Sequence, residues 1–524
     1  MDNLKRAYHL VFRLQLLVFS LALALALLWR LPNFGAFGLN NDEGAYLMWA
    51  RLVSEGYSLY SQTQSVSAPL FIEGLAGLFN LFGFSVVGGR LVILVSFGLL
   101  AMALSGIAYR LGGWKGAFAA LAMTALPTPF FQLSRQVMAE IPATLFAVLA
   151  VGSGLQFAET RNRGWLAAAG MALAISLLVK PLYPAAILPI VWFAWRGSKL
   201  WRDRLMGLAV FGVSLLLVTG VVVSFFEWTA FFDQVIKFRG DLRGVTPWDW
   251  RQNGRAFLTY NRPLWGIGLL AGAGVLTPGE ADRKWAWLLW LGGSFALVMW
   301  HNPLFPHHFI ILLPPAIFLA VEFVRFTIYD LRFTNSKRIA GGIRVIVIAA
   351  ALLSVPNLVQ LNQGWLDITT GGREAEAARI LARVTRPSDF VVSDSQMLAL
   401  WADRLTPPPM GDVALVAIRA GRQTPERLIA MSRAYSVAAV AQWALRLPWL
   451  PEYLDWAERN FWVKKVWDND HILYFGPKHP PDRPIPNARR ISFAGGVILS
   501  GYSLDAETIA PGRSLPLTLY WQTT

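Results

Sequence analysis

The chain lacks cysteine entirely over its 524 residues. That excludes disulfides and thiolate metal sites. Charge is also scarce: Asp, Glu, Lys and Arg together make up 15% of the chain, where a soluble domain carries about 25%. There are only six histidines. Neither a Gly-x-Gly-x-x-Gly fingerprint nor a P-loop is present to hold a nucleotide. The net charge is +15, yet no single soluble segment carries a long basic run, so nucleic acid is set aside as a partner. No internal repeat or low-complexity tract is visible.

What the chain does have is apolar length. Hydrophobic residues make up 55% of it, with 23 Trp and 33 Phe, and the mean hydropathy is +0.44. Several runs approach or exceed the roughly 18 to 20 residues that cross a bilayer. The fold class is a polytopic α-helical membrane protein in a cell (plasma) membrane. Lys and Arg gather in short loops, among them Arg110 with Lys115, Arg161 with Arg163, and Arg196 with Lys199, Arg202 and Arg204. By the positive-inside rule these loops face the cytoplasm. The pattern predicts about eleven spans with the N-terminus inside: 10–31, 89–109, 116–131, 139–157, 165–179, 181–195, 205–226, 263–277, 285–300, 309–324 and 343–356. The first reads as an uncleaved signal-anchor. Large outer loops are expected at 32–88 and 227–262.

The last third changes character. Charge, Pro and turn residues rise and no further span is found. Arg373 to Arg383 reads as a helix, as does Leu450 to Asn460. Asp389 to Ser393, Ser436 to Ala441 and His471 to Phe475 read as strands, which predicts a small α/β domain on the outer side. Beyond the Pro-rich stretch from Lys478 to Pro486, strands are expected at Val497 to Tyr502 and Leu515 to Trp521, the start of a β-sandwich that would be cut short at Thr524. The expected domains are 1–356, 357–480 and 487–524.

The charged residues near the outer ends of spans are the candidates for chemistry. Asn41-Asp42-Glu43-Gly44 follows the first span and opens an expected amphipathic helix, with Tyr46, Trp49, Leu52 and Val53 on one face and Arg51 paired with Glu55 on the other. Asp42 and Glu43 either cap this helix or supply a general base that takes a proton from an attacking hydroxyl. Glu140 stands before Pro142 at the start of the fourth span, where an ionisable residue needs a partner. Arg135 is the expected one, as an interfacial ion pair. Lys180 precedes Pro181, which breaks or kinks the helix there; the lysine either snorkels to the headgroups or binds a phosphate. His307 and His308 lie at the mouth of the tenth span. Adjacent residues on a helix diverge by about 100°, so at most one faces a common site. Arg239, Arg243, Arg251 and Arg255 are further cations in the second large loop.

The first loop continues with Gly56 to Tyr60, Ser67-Ala68-Pro69-Leu70, and Gly89-Arg90 entering the second span. An acidic pair after span one, a Gly-x-x-x-Tyr segment, an x-Pro-Leu helix start and a Gly-Arg step resemble the first outer loop of GT-C glycosyltransferases. The pattern is similar to the protein O-mannosyltransferases and the aminoarabinose transferases of lipid A, over about 1–330. The resemblance implies that Asp42 is the catalytic base with Glu43 beside it, and that Glu140 with Arg135 positions the acceptor. It implies donor-phosphate contacts from Lys180, His307, His308 and Arg90. Ser67-Ala68-Pro69 departs from the family in carrying no basic residue.

On that reading a sugar moves from a polyprenyl-phosphate donor to a hydroxyl on a protein, lipid or glycan acceptor. The donor's tail and the spans both lie among membrane lipids. One displacement at the anomeric carbon inverts its configuration, with cations stabilising the leaving phosphate. No cofactor is required; a divalent metal is compatible with the chemistry. The rival reading is a transporter or flippase of lipid-linked sugars. Against it, no inverted repeat is found and the charges collect on one side instead of at mid-membrane.

Overall fold

The computed structural model describes residues 2–37, 41–245, 248–277, 280–329, 345–411, 413–478, 487–504 and 517–523. The chain forms two compact units. One comprises Met1–Glu55, Leu59–Ser61 and Val66–Thr369; the other comprises Gly56–Ser58, Gln62–Ser65 and Thr370–Thr524.

The first unit is helical: α1 (Asp2–Leu28), α2 (Asn41–Ser54), α3 (Pro69–Phe82), α4 (Val86–Ala125), α5 (Thr128–Leu133), α6 (Glu140–Thr160), α7 (Gly164–Val179), α8 (Ile187–Arg196) and α9 (Trp201–Val223), then further helices that include Trp265–Leu276, Ala281–Trp300 and Leu313–Tyr329. Six described helices are long and apolar enough to cross a membrane. Two of these, His9–Leu28 and Trp201–Val223, have few buried residues along their apolar length, as suits a lipid-facing helix. This is a multi-pass membrane protein. The expected number of eleven is not fixed by these helices, because Pro69–Phe82, Gly164–Val179 and Pro184–Arg196 are apolar but shorter.

Local sequence sets the helix ends. Pro69 starts α3 from its first turn, where the missing N–H costs nothing. Ser85 caps α4 by accepting from the Gly88 N–H at 3.0 Å. Within α4 the backbone breaks at Gly112 and Gly113. A Cβ on Gly116 would lie 2.4 Å from the carbonyl oxygen of Ala108, so the chain reverses there, between the two spans expected at 89–109 and 116–131. Helix α7 stops at Lys180, whose backbone is extended, as a residue before proline prefers. Small residues let helices touch. A Cβ on Gly274 would sit 1.8 Å from the carbonyl oxygen of Leu319, and one on Gly170 2.4 Å from that of Phe211; this is the close approach expected of membrane helices. The last apolar stretch, Val345–Leu366, runs ten residues beyond the expected end at 356, because Pro356 falls in the first turn of a new helix where proline is tolerated.

The second unit is α/β. Strand β1 (Val391–Ser393) runs parallel to β2 (Ala439–Gln442), which pairs antiparallel with β4 (Ile472–Pro477), and β4 pairs antiparallel with β3 (Phe461–Val466). Val392, Val440, Tyr453, Trp456 and Tyr474 lie in its core. The Asp394 carboxylate, at the end of β1, accepts from the N–H groups of Trp443, Ala444, Arg446 and Leu447 at 2.6–3.0 Å. Strands β5 (Asn487–Phe493), β6 (Val497–Leu504) and β7 (Leu517–Thr523) form a separate antiparallel sheet. Part of the expected first loop belongs to this unit, with the Gln64 N–H donating to the Pro408 carbonyl at 3.1 Å.

Candidate active site

The acidic pair occupies the first turn of α2, where the helix dipole favours negative charge. The helix is not amphipathic as expected. Nine of its residues, Glu43 to Ala50 and Leu52, are buried, so it is packed on most sides. The two acids then separate. Glu43 has no exposed surface and forms a two-pronged ion pair with Arg90, Oε1 to Nε and Oε2 to Nη2, both at 2.7 Å. Its Oε1 also accepts from the Val137 N–H at 2.8 Å. The Arg90 Nη1 donates to the carbonyls of Phe34 and Ala36 at 2.6 and 2.8 Å. Neither side chain is open to a substrate. Glu43 and Arg90, expected as a catalytic group and a phosphate contact, together tie the entry to α2 to the start of α4 and to the turn before α6. Asp42, one residue earlier, is half-buried.

Arg135 does not pair with Glu140. Its Nη1 and Nη2 donate to the carbonyls of Trp365 and Pro32 at 2.7 and 2.6 Å. The guanidinium is enclosed; the two carbonyl oxygens take its terminal donors without a second buried charge, and its Nε has no partner among the described residues. Arg30 is buried nearby in the same manner. It donates to Ser134 Oγ and to the carbonyls of Ala26 and Ala125, and its guanidinium lies 4.1 Å from the Phe97 ring centroid.

Glu140 instead takes Lys180 from the end of α7, Oε1 to Nζ, and the same oxygen lies 3.5 Å from His307 Nε2. The three residues come from three separate helix ends. Glu140 is anchored through its backbone carbonyl, which accepts from Thr144 Oγ1 at 2.7 Å and Tyr183 O–H at 3.1 Å. Burial lowers the Lys180 pKa, but the Glu140 carboxylate, with Tyr46 and Asp42, outweighs it and holds the ammonium above the ordinary lysine value. Asp42 is in electrostatic reach of Lys180, His307 and Tyr46. Glu140, Lys180 and His307 thus meet, with Asp42 in electrostatic reach of Lys180 and His307.

His308 turns away from this cluster. It is buried, its Nδ1 accepts from the Phe305 N–H at 3.3 Å, and its ring packs edge-on against His301 and His307, with centroids 4.4 and 4.5 Å apart. One histidine of the adjacent pair faces the acid and the other does not, as their angular separation requires. Among the described residues no group of three or more His, Cys, Asp or Glu is arranged to hold a metal ion.

Two more residues come close to the cluster: Tyr46, which the sequence reading took as packing, and Arg239, one of its candidate loop cations. Tyr46 is buried, edge-on to Phe71 at 5.0 Å. Burial pushes its phenol up, and its hydroxyl bonds to Ser67. Its place in α2, one turn after Asp42, was legible, but its aromatic ring read as packing. Arg239, one of four loop arginines, is in electrostatic reach of Tyr46 and His308. Desolvation lowers its pKa, with Tyr46 acting against this.

Residues 67–223 match the sequence model of the dolichyl-phosphate-mannose-protein mannosyltransferase family. That stretch includes Arg90, Arg135, Glu140 and Lys180 and is under a third of the chain. No curated protein matches. Among solved structures, the chain is similar to ArnT from Cupriavidus metallidurans bound to undecaprenyl phosphate, with a TM-score of 0.58 at 16% identity, covering 88% of this chain and 97% of that one. Against the same protein in its apo state the TM-score is 0.59 at 13% identity, with the same coverage. The fold is therefore that of ArnT, and residues 67–223 are similar to the mannosyltransferase family whose model they match.

Proposed function

We propose that the chain is an integral-membrane glycosyltransferase that moves a hexosyl or pentosyl group from a polyprenyl-phosphate donor to a hydroxyl acceptor on the outer membrane face. The observation that carries this reading is the meeting of Glu140 with the Lys180 ammonium and the His307 ring at three helix ends, with the half-buried Asp42 in electrostatic reach of Lys180 and His307. The fold likeness supports it, since ArnT has been solved with undecaprenyl phosphate, a lipid of the donor's class.

Asp42 accepts the acceptor's hydroxyl proton as that oxygen attacks the anomeric carbon. The bond from the anomeric carbon to the phosphate oxygen breaks, and polyprenyl phosphate leaves with the bonding pair. Lys180, with His307 and Arg239, balances the charge that develops on the departing phosphate. Attack from the side opposite the leaving group inverts the anomeric carbon, and no covalent enzyme intermediate forms. Glu43 and Arg90 act as positioning residues, fixing the turn that carries Asp42. The acceptor is a protein, lipid or glycan hydroxyl.

The test uses purified full-length protein in liposomes with radiolabelled undecaprenyl phosphomannose, undecaprenyl phosphoglucose and undecaprenyl phosphoarabinose, together with a membrane extract as acceptor source. The expected result is label in a new covalent product. Label that only changes leaflet would favour a transporter and overturn the proposal.

A further inference from the structure

Glu140 divides its carboxylate between two surroundings. Oε1 accepts from the Lys180 ammonium and lies 3.5 Å from His307 Nε2. Oε2 is buried and has no hydrogen-bond partner among the described residues. A buried carboxylate oxygen without a donor is costly, and the carboxylate is not free to rotate away from that cost. Its backbone carbonyl is held by Thr144 and Tyr183, and its other oxygen is held by the Lys180 ammonium, with His307 Nε2 3.5 Å away. The site is built around an acceptor that protein atoms leave unfilled.

We propose that Glu140 Oε2 is a sugar-recognition group: it accepts a hydrogen bond from a hydroxyl or amino substituent of the sugar carried by the donor. This rests on the function proposed above. The geometry follows from connectivity. Lys180 binds Oε1 and, on the function proposed above, contacts the donor phosphate. The anomeric carbon is bonded to that phosphate, and Oε2 lies one carboxylate width from Oε1. The substituents next to the anomeric carbon are those within its reach. Glu140 then sets both ends of the donor, steering Lys180 to the phosphate through one oxygen and reading the sugar through the other. This differs from the acceptor-positioning role expected from the resemblance, and it makes Glu140 a determinant of which sugar is transferred.

The experiment measures binding to purified full-length protein, wild type and Glu140→Gln. The probes are undecaprenyl phosphate without sugar and a panel of undecaprenyl-phosphate pyranoses: mannose, glucose, galactose, arabinose and 4-amino-arabinose. The quantity read is the sugar increment, the ratio of Kd for the bare lipid phosphate to Kd for the tightest sugar-bearing donor. The increment should fall about tenfold or more in Glu140→Gln, the factor for losing one hydrogen bond to a charged group. Bare undecaprenyl phosphate should bind the variant at least as tightly, because Lys180 is released from its carboxylate. An equal increment in both proteins would overturn the proposal and leave Glu140 as a counter-ion alone. So would a wild type that shows no increment with any sugar of the panel. If the variant fails to fold, deoxy analogues of the preferred donor decide the matter on wild type: one position must cost about tenfold, and no such position refutes the idea. Failure of the wider reading looks different, since wild-type protein would then not bind bare undecaprenyl phosphate at all.

Discussion

Replacing Glu43 by Gln is expected to damage the fold and not the chemistry, and its neighbour Asp42 should do the reverse. Arg90 is fully enclosed and spends its Nε and Nη2 donors on the Glu43 carboxylate. Removing that charge leaves a buried guanidinium with only the carbonyls of Phe34 and Ala36. Breaking one side of a buried pair costs about 3–5 kcal/mol. Gln restores one acceptor oxygen but must serve both Arg90 and the Val137 N–H, so the lower half of that range is expected. The assay is denaturant- or heat-induced unfolding of purified protein in detergent, with four proteins: wild type, Glu43→Gln, Arg90→Met and the double variant. The double variant should be less destabilised than the sum of the singles, with a coupling of about 1 kcal/mol or more. Surviving folded Glu43→Gln should still transfer sugar, while Asp42→Asn should unfold like wild type and transfer none. The reasoning is refuted if Glu43→Gln matches wild-type stability yet abolishes transfer, because the residue would then be touching substrate.

Four further outcomes follow from contacts described above. Lys180→Met should weaken donor binding by about tenfold or more through loss of a charged phosphate contact, read as a rise in Kd for undecaprenyl phosphate. Because the Lys180 ammonium is held above its ordinary value, the stability from its pairing is complete below the unfolded lysine pKa of about 10.4. It is lost only as pH rises through the higher folded value, so donor binding measured from pH 7 to 9 should show no alkaline fall from this group. Gly274→Ala should destabilise the helical unit by about 2 kcal/mol or more, because its Cβ would sit 1.8 Å from the Leu319 carbonyl oxygen; thermal unfolding in detergent reads this. Asp394→Asn replaces an acceptor of four backbone N–H groups with one that has a single acceptor oxygen. Orphaning two of them costs about 2 kcal/mol or more, and limited proteolysis should open the 443–447 loop first.

The membrane helices were legible because apolar length is a strong signal and the breaks in it are chemical: Gly112-Gly113 inside α4 and Lys180-Pro181 after α7. In the second unit, the helix at Gly372–Val384 and strands β1, β2, β4, β6 and β7 lie where the sequence placed them. Strand β3 did not read as one, because Lys464 and Lys465 interrupt its alternation. It is an edge strand, and charge there is the usual guard against pairing with another chain. For the candidate site, the structure brings Glu140, Lys180 and His307 of the named residues together, and the sequence did not show which partners they take. Arg135 and Glu140 are five apart and looked like a pair; the actual partner, Lys180, is forty residues away on another helix. Glu43 and Asp42 are adjacent and looked alike, and only the distant Arg90 tells them apart. Partner choice among buried charges depends on packing across helices, which one-dimensional spacing does not contain.

The central claim rests on Asp42 as the group that takes the acceptor's proton. The most direct test is sugar transfer in membranes from radiolabelled polyprenyl-phosphate sugars, comparing wild type with Asp42→Asn at equal folded protein. The account predicts a fall of about 10²-fold or more, the contribution typical of a general base, with undecaprenyl phosphate still bound. Transfer at the wild-type rate by Asp42→Asn would contradict it.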